Sequence, residues 1–127
     1  MPSYDASSFD PPAPVVRVTL RNPQSGVTVS DAPLVLDSGA DVTLLPRDAF
    51  AQLAMATLGD RRYELMGFDG HKSFAAVAML DVLLLNRTFR GRYLLLDGEH
   101  GILGRDVLNH LVVLLDGPRR QGSEYGP

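Results

Sequence analysis

The chain has 127 residues, a formal net charge of −3 and no cysteine. The missing cysteines exclude a disulfide scaffold, a thiol nucleophile and a cysteine-based metal site. The scattered positive charges argue against an obligatory nucleic-acid binder, which would carry a basic patch. A hydrophobic fraction of 45% at this length fits one globular domain with a modest core.

In chain order, Met1 to Pro14 is polar and proline-rich, without the charged start and apolar stretch of a secretory signal. It reads as a flexible arm over residues 1–14, ahead of a folded domain over 15–117 and a flexible tail over 118–127. Val15 to Leu20 is β-branched and partly alternating, so a strand. Asn22-Pro23-Gln24-Ser25-Gly26 is a turn. A second strand begins at Val27 to Ser30, resumes at Leu34 and ends at Asp37. Arg47 to Ala54 is rich in helix formers, with Pro46 near the first turn.

Arg62 to Met66 and Ser73 to Ala78 read as two strands around Gly67-Phe68-Asp69-Gly70-His71, a glycine-bracketed hairpin tip. Asp81 to Leu85 and Phe89 to Leu96, joined by a turn at Asn86-Arg87, form another hairpin. Val107 to His110 is a short helix and Leu111 to Leu115 a buried strand. That apolar run falls far below the roughly 18 residues of a membrane span. The expectation is mainly β with one or two short helices, no membrane segment and a cytoplasmic location, with a periplasmic location or a place as one domain of a longer protein as the alternatives.

The most informative stretch is Val35-Leu36-Asp37-Ser38-Gly39-Ala40-Asp41-Val42-Thr43-Leu44-Leu45-Pro46. Burying a carboxylate is costly unless it is paired or hydrogen-bonded. Asp37, at the end of an apolar strand, therefore needs donors. Gly39 lets backbone approach and donate one, and Ser38 offers a hydroxyl that could lock across an interface. Asp-Ser-Gly alone is common in surface turns, but surface turns do not usually sit between such apolar flanks. A second segment stands downstream: Gly101-Ile102-Leu103-Gly104-Arg105-Asp106-Val107-Leu108.

Together the two segments resemble the retropepsin family, the single-domain aspartic proteases of retroviruses and their cellular and bacterial relatives. The resemblance covers roughly residues 15–117. It implies a closed β-barrel of the acid protease fold, one lobe per subunit, with Asp37 as the catalytic carboxylate in an active-site loop with Ser38, Gly39 and Ala40. Ile102, Leu103 and Gly104 would be the segment crossing behind it. Asp41 and Arg105 fall on positions that pair inside the subunit. Gly67, Phe68, Asp69 and Gly70 would be the tip of a flap closing over a bound peptide, although the tip is less glycine-rich than the viral flaps. Arginine-rich, lysine-poor usage suggests a bacterial member.

The chain carries a single Asp-Ser-Gly. An aspartic protease needs two carboxylates sharing one proton, so the resemblance implies a symmetric homodimer with Asp37 of each subunit on the two-fold axis. The partners expected are a second copy and a peptide or protein substrate, with no nucleic acid. No cofactor or metal is expected; His71, His100 and His110 do not read as a metal site. The alternative function is a catalytically silent dimerisation or peptide-binding module on the same fold, since fold does not fix function. A weaker reading is a generic monomeric β-barrel in which Asp-Ser-Gly is a coincidence.

Overall fold

The computed structural model describes residues 2–59, 62–66 and 70–125. Its elements in order are β1 (Ser3–Asp5), β2 (Ala13–Arg21), β3 (Thr28–Leu36), β4 (Leu44–Pro46), α1 (Arg47–Ala51), β5 (Arg62–Met66), β6 (Lys72–Leu84), β7 (Arg87–Leu96), β8 (Gly101–Leu103), α2 (Arg105–Leu108), β9 (Val113–Asp116) and β10 (Gln121–Glu124). The fold is mainly β with two short helices, as the sequence predicts.

The strands form as their alternation dictates. β2 turns Val16, Val18 and Leu20 into the core and Arg17 outward. It pairs with β3 on one side and, over Thr19 to Arg21, with β6 on the other. The pairings run from β2 through β3, β8, β4, β7 and β6 and so return to β2. Leu34, Leu45, Leu80, Leu95 and Leu103 fill the space within, with Phe50 and Leu53 from α1 and the turn after it. The Asn22 turn is held by its own side chain, whose Oδ1 accepts from the N–H groups of Gln24 and Ser25.

Several elements differ from the sequence reading. β3 is continuous through Asp31, where the sequence suggests a break. Between the pairs Val18–Ala32 and Leu20–Val29, β3 carries one extra residue, and Asp31 takes a positive φ of 62°. This is a β-bulge, which bends a strand without ending it. β6 is one strand rather than two, because Ala78, Leu80 and Val82 keep alternating into the core. The helices cover Arg47–Ala51 and Arg105–Leu108, not residues 47–54 and 107–110.

The chain ends also differ. Residues read as a flexible arm and tail contain β1 and β10, which pair with each other, while β1 also pairs with β2. Backbone pairing to a neighbouring strand needs no apolar periodicity, so composition could not reveal it. The expected buried strand at Leu111 to Leu115 is instead the exposed edge strand β9, with Leu114 52% and Leu115 47% exposed.

Among the described residues Asp81 is the buried charged residue, with its side chain fully buried in the core wall. Its Oδ2 accepts from Arg21 Nε and Nη2 at 3.0 and 2.9 Å, and its Oδ1 accepts from Arg90 Nε at 2.8 Å. The hydrogen bonds from Arg90, with those from Arg21, hold the Asp81 carboxyl below its ordinary value despite its burial. Among the described residues no helix is long and apolar enough to cross a membrane.

Candidate active site

β3 delivers Asp37 to the mouth of the core. Its last residues pair in parallel with β8, Val35 opposite Ile102 and Leu36 opposite Leu103. The Asp37 N–H then donates to the Leu103 carbonyl at 3.1 Å, so the ladder holds the backbone of Asp37. Its side chain stands half-buried. Oδ1 accepts the Gly39 N–H at 2.9 Å, and the Ala40 N–H closes back on the Asp37 carbonyl at 3.2 Å. A Cβ at Gly39 would lie 3.1 Å from Asp37 Oδ1, tighter than ordinary contact. Ser38 and Gly39 are exposed.

Behind this loop lies the Ile102-Leu103-Gly104 segment. Leu103 and Gly104 are buried, and Ile102 pairs with Leu44 of β4 on its other side. A Cβ at Gly104 would sit 2.5 Å from the Val42 carbonyl oxygen and 3.0 Å from that of Ala40. Only glycine lets the two backbones cross this closely. Next in sequence, Arg105 reaches back over the loop. Its N–H donates to the Ala40 carbonyl at 2.9 Å, Nη1 to the Ser38 carbonyl at 2.8 Å, and Nη2 to Asp41 Oδ1 at 2.8 Å. Asp41 and Arg105 are thus brought together within one chain, and the guanidinium also ties Ser38 to the start of α2.

Two residues not singled out in the sequence complete the joint. Thr43, fully buried, donates its hydroxyl to Asp106 Oδ1 at 2.6 Å and accepts the Gly104 N–H at 3.0 Å. The Thr43 N–H donates to Asp106 Oδ2 at 3.0 Å. The available signal was a hydroxyl inside the apolar run Val42-Thr43-Leu44-Leu45, because a buried polar group must find a partner.

The hairpin of β5 and β6 stands over the other side of the loop. Leu65 and Ala75 of the hairpin belong to a small apolar cluster with Val42 and Leu44. A concavity of about 390 Å³ separates Gly39, Ala40, Asp41 and Val42 from Glu64, Leu65 and Met66. Of the hairpin tip, Gly70 has a φ of 81°, a conformation suited to glycine; Gly67, Phe68 and Asp69 lie outside the described residues. A concavity of about 480 Å³ along β7 and α2, lined by Arg87, Arg90, Arg92 and His110, includes no residue of the Asp37 loop.

No protein-family model and no curated protein matches the chain. Among solved structures it is similar to the EIAV protease, a retroviral enzyme, in complex with the inhibitor HBY-793. The identity is 24%, the TM-score 0.54, and the match covers 77% of this chain and 86% of that one. The fold is retropepsin-like.

A retropepsin-like fold at this identity speaks for architecture and carries nothing on a bacterial source. Two of the histidines have contacts away from the loop. His100 Nε2 lies 3.2 Å from Asp5 Oδ2 and packs edge-on against Phe9, and His110 packs against Phe89. Among the described residues no group of His, Asp or Glu could hold a metal ion.

Proposed function

We propose that the protein is a homodimeric aspartic endopeptidase in which Asp37 of each of two subunits activates water. The observation that carries this reading is the placement of Asp37. A strand ladder holds its backbone and the Gly39 N–H holds one carboxylate oxygen, and Gly39 to Val42, the residues that follow in the same loop, line a concavity under a hairpin, in a retropepsin-like fold. A single chain supplies one such carboxylate. Two carboxylates roughly 3 Å apart share one proton, and a two-fold axis beside Asp37 would create that pair.

In this mechanism the ionised carboxylate takes a proton from water, and the resulting hydroxide attacks the scissile carbonyl carbon. The protonated carboxyl donates to the carbonyl oxygen as negative charge develops there. The tetrahedral intermediate then collapses, the C–N bond breaks, and a proton passes to the leaving amine. Ser38, exposed beside the carboxylate, would hydrogen-bond across the axis. Asp41, Arg105 and Ala40 keep the loop in shape, with Ile102, Leu103 and Gly104 as its backing. The hairpin carrying Gly67, Phe68, Asp69 and Gly70 would act as the flap over a bound peptide.

The test is cleavage of a mixed peptide library from about pH 3 to about pH 8 by wild type and Asp37→Asn. Loss of a catalytic acid–base group predicts at least a ~100-fold fall in turnover, with fold and dimer retained. Acid-range cleavage by wild type, blocked by a statine-type inhibitor, is the expected result. A stable dimer that cleaves nothing would instead support the peptide-binding module.

A further inference from the structure

β7 presents a stretch of open sheet edge away from the Asp37 loop. On one side β6 holds it, from Arg87 opposite Leu84 to Leu94 opposite Val77. On the other side β4 pairs with Leu94 to Leu96 alone, so among the described strands none covers Thr88 to Arg92 there. The Leu94 N–H points away from β6 and donates to the Thr43 carbonyl at 3.2 Å. Backbone groups alternate in direction along an antiparallel strand, so Thr88, Arg90 and Arg92 aim their N–H and carbonyl groups at the same open side.

The side chains on this edge are basic, although the chain as a whole is acidic. Arg90 and Arg92 are exposed and, two residues apart, share one face of the sheet. Arg92 has no ion-pair partner among the described residues. Arg90 gives Nε and Nη2 to Asp81, which leaves Nη1 for another acceptor. The neighbouring acids are already engaged: Asp81 by Arg21 and Arg90, and Asp106 by the N–H and hydroxyl of Thr43. A concavity of about 480 Å³ runs along the edge to His110, whose carbonyl accepts from Arg87 Nη1 at 2.8 Å.

We infer that this edge takes an extended acidic segment of another protein, which adds to the sheet beside β7 and sets its carboxylates against Arg90 and Arg92. Charge complementarity selects an acidic occupant, since a guanidinium fork matches a carboxylate. The open N–H and carbonyl groups select a polypeptide, because a strand complements them and a nucleic acid backbone does not. Alternate side chains of an added strand fall on the face that carries Arg90 and Arg92, where opposite charges on neighbouring strands attract. The inference does not rest on the protease reading, because the concavity includes no residue of the Asp37 loop. It would serve an enzyme as a recruitment surface and a silent module as its binding surface.

The test is fluorescence anisotropy of a short fluorescein-labelled peptide of alternating glutamate and threonine, titrated with the full chain. Wild type should bind it and should not bind the counterpart with lysine for glutamate. Arg92→Glu places like charges together and should weaken binding at least about tenfold. Thr88→Pro removes an outward N–H, leaves the ladder to β6 intact, and should weaken binding with an unchanged circular dichroism spectrum. A statine-type inhibitor should not displace the peptide. No binding by wild type would overturn the inference and leave the arginines as guards of an open edge. So would unchanged binding by Arg92→Glu or by folded Thr88→Pro, displacement by the inhibitor, or equally tight binding of single-stranded oligothymidine. If Thr88→Pro does not fold, Arg92→Glu and the oligothymidine comparison decide. Failure of the protease reading leaves every one of these outcomes as stated.

Discussion

Thr43 offers the sharpest test of how the active-site loop is held. Thr43→Val keeps the shape of the side chain and removes its hydroxyl. That deletes a donor to Asp106 Oδ1 and the acceptor of the Gly104 N–H. A hydrogen bond to a charged group is worth about 1.5–3 kcal/mol, and an unpaired buried N–H costs about 1–3 kcal/mol. Asp106 is exposed and can turn to water, which favours the lower end of the first range. The expected destabilisation is therefore about 3 kcal/mol. Thr43→Ser retains both hydrogen bonds and loses one buried methyl, about 1 kcal/mol with the small cavity included. Urea unfolding followed by circular dichroism, at one protein concentration for all variants, measures both. If Val costs no more than Ser, the hydroxyl does not hold the joint and the account of this corner is wrong.

Three further outcomes follow from the same geometry. Arg105→Met should cost at most about 1 kcal/mol of stability, because the pair with Asp41 is exposed, yet it frees the Ser38 carbonyl and should lower peptide cleavage about tenfold or more; unchanged cleavage would deny Arg105 its positioning role. Gly104→Ala forces a Cβ against the Val42 carbonyl and should destabilise by about 1–3 kcal/mol, whereas Gly117→Ala, with open space at its Cβ, should be nearly neutral by the same unfolding assay. The third concerns acid. Asp81 has a folded pKa below its ordinary value of 3.8, so its stabilisation is complete above that value and fades as the pH falls through the folded pKa. The stability gap between wild type and Asp81→Asn should be full at neutral pH and shrink below about pH 3.8; a gap independent of pH would show that the carboxylate charge is not what Arg21 and Arg90 hold.

Much of this architecture is readable in the chain. Local signals carry it: alternation in Val16-Arg17-Val18-Thr19-Leu20, side-chain turn chemistry at Asn22, glycines beside Asp37 and at residue 104. The contact of Asp37 with the Gly39 N–H was also readable, because a carboxylate at the end of an apolar strand demands nearby donors. Signals that depend on a distant partner were not. Thr43 and Asp106 are 63 residues apart, and nothing local to either specifies the other. Asp81, read as the start of a strand, is a buried charge because Arg21 lies 60 residues away in sequence. The run at Leu111 to Leu115 looks like any interior strand; its position at the end of the sheet leaves it half-exposed.

By itself, then, the sequence determined which segments could be strands, where the chain had to turn, and which carboxylate stood in an environment that needs explaining. These are properties of residues within a turn or a strand of one another, where periodicity and backbone preference act. Tertiary structure alone decided which strands neighbour, that β1 and β10 join the sheet, how Thr43 and Asp106 brace the Asp37 loop, and which apolar edge remains open. Those outcomes depend on hydrogen-bond partners brought together from far along the chain. Pairing energy resides in the contact and leaves no mark on either segment alone.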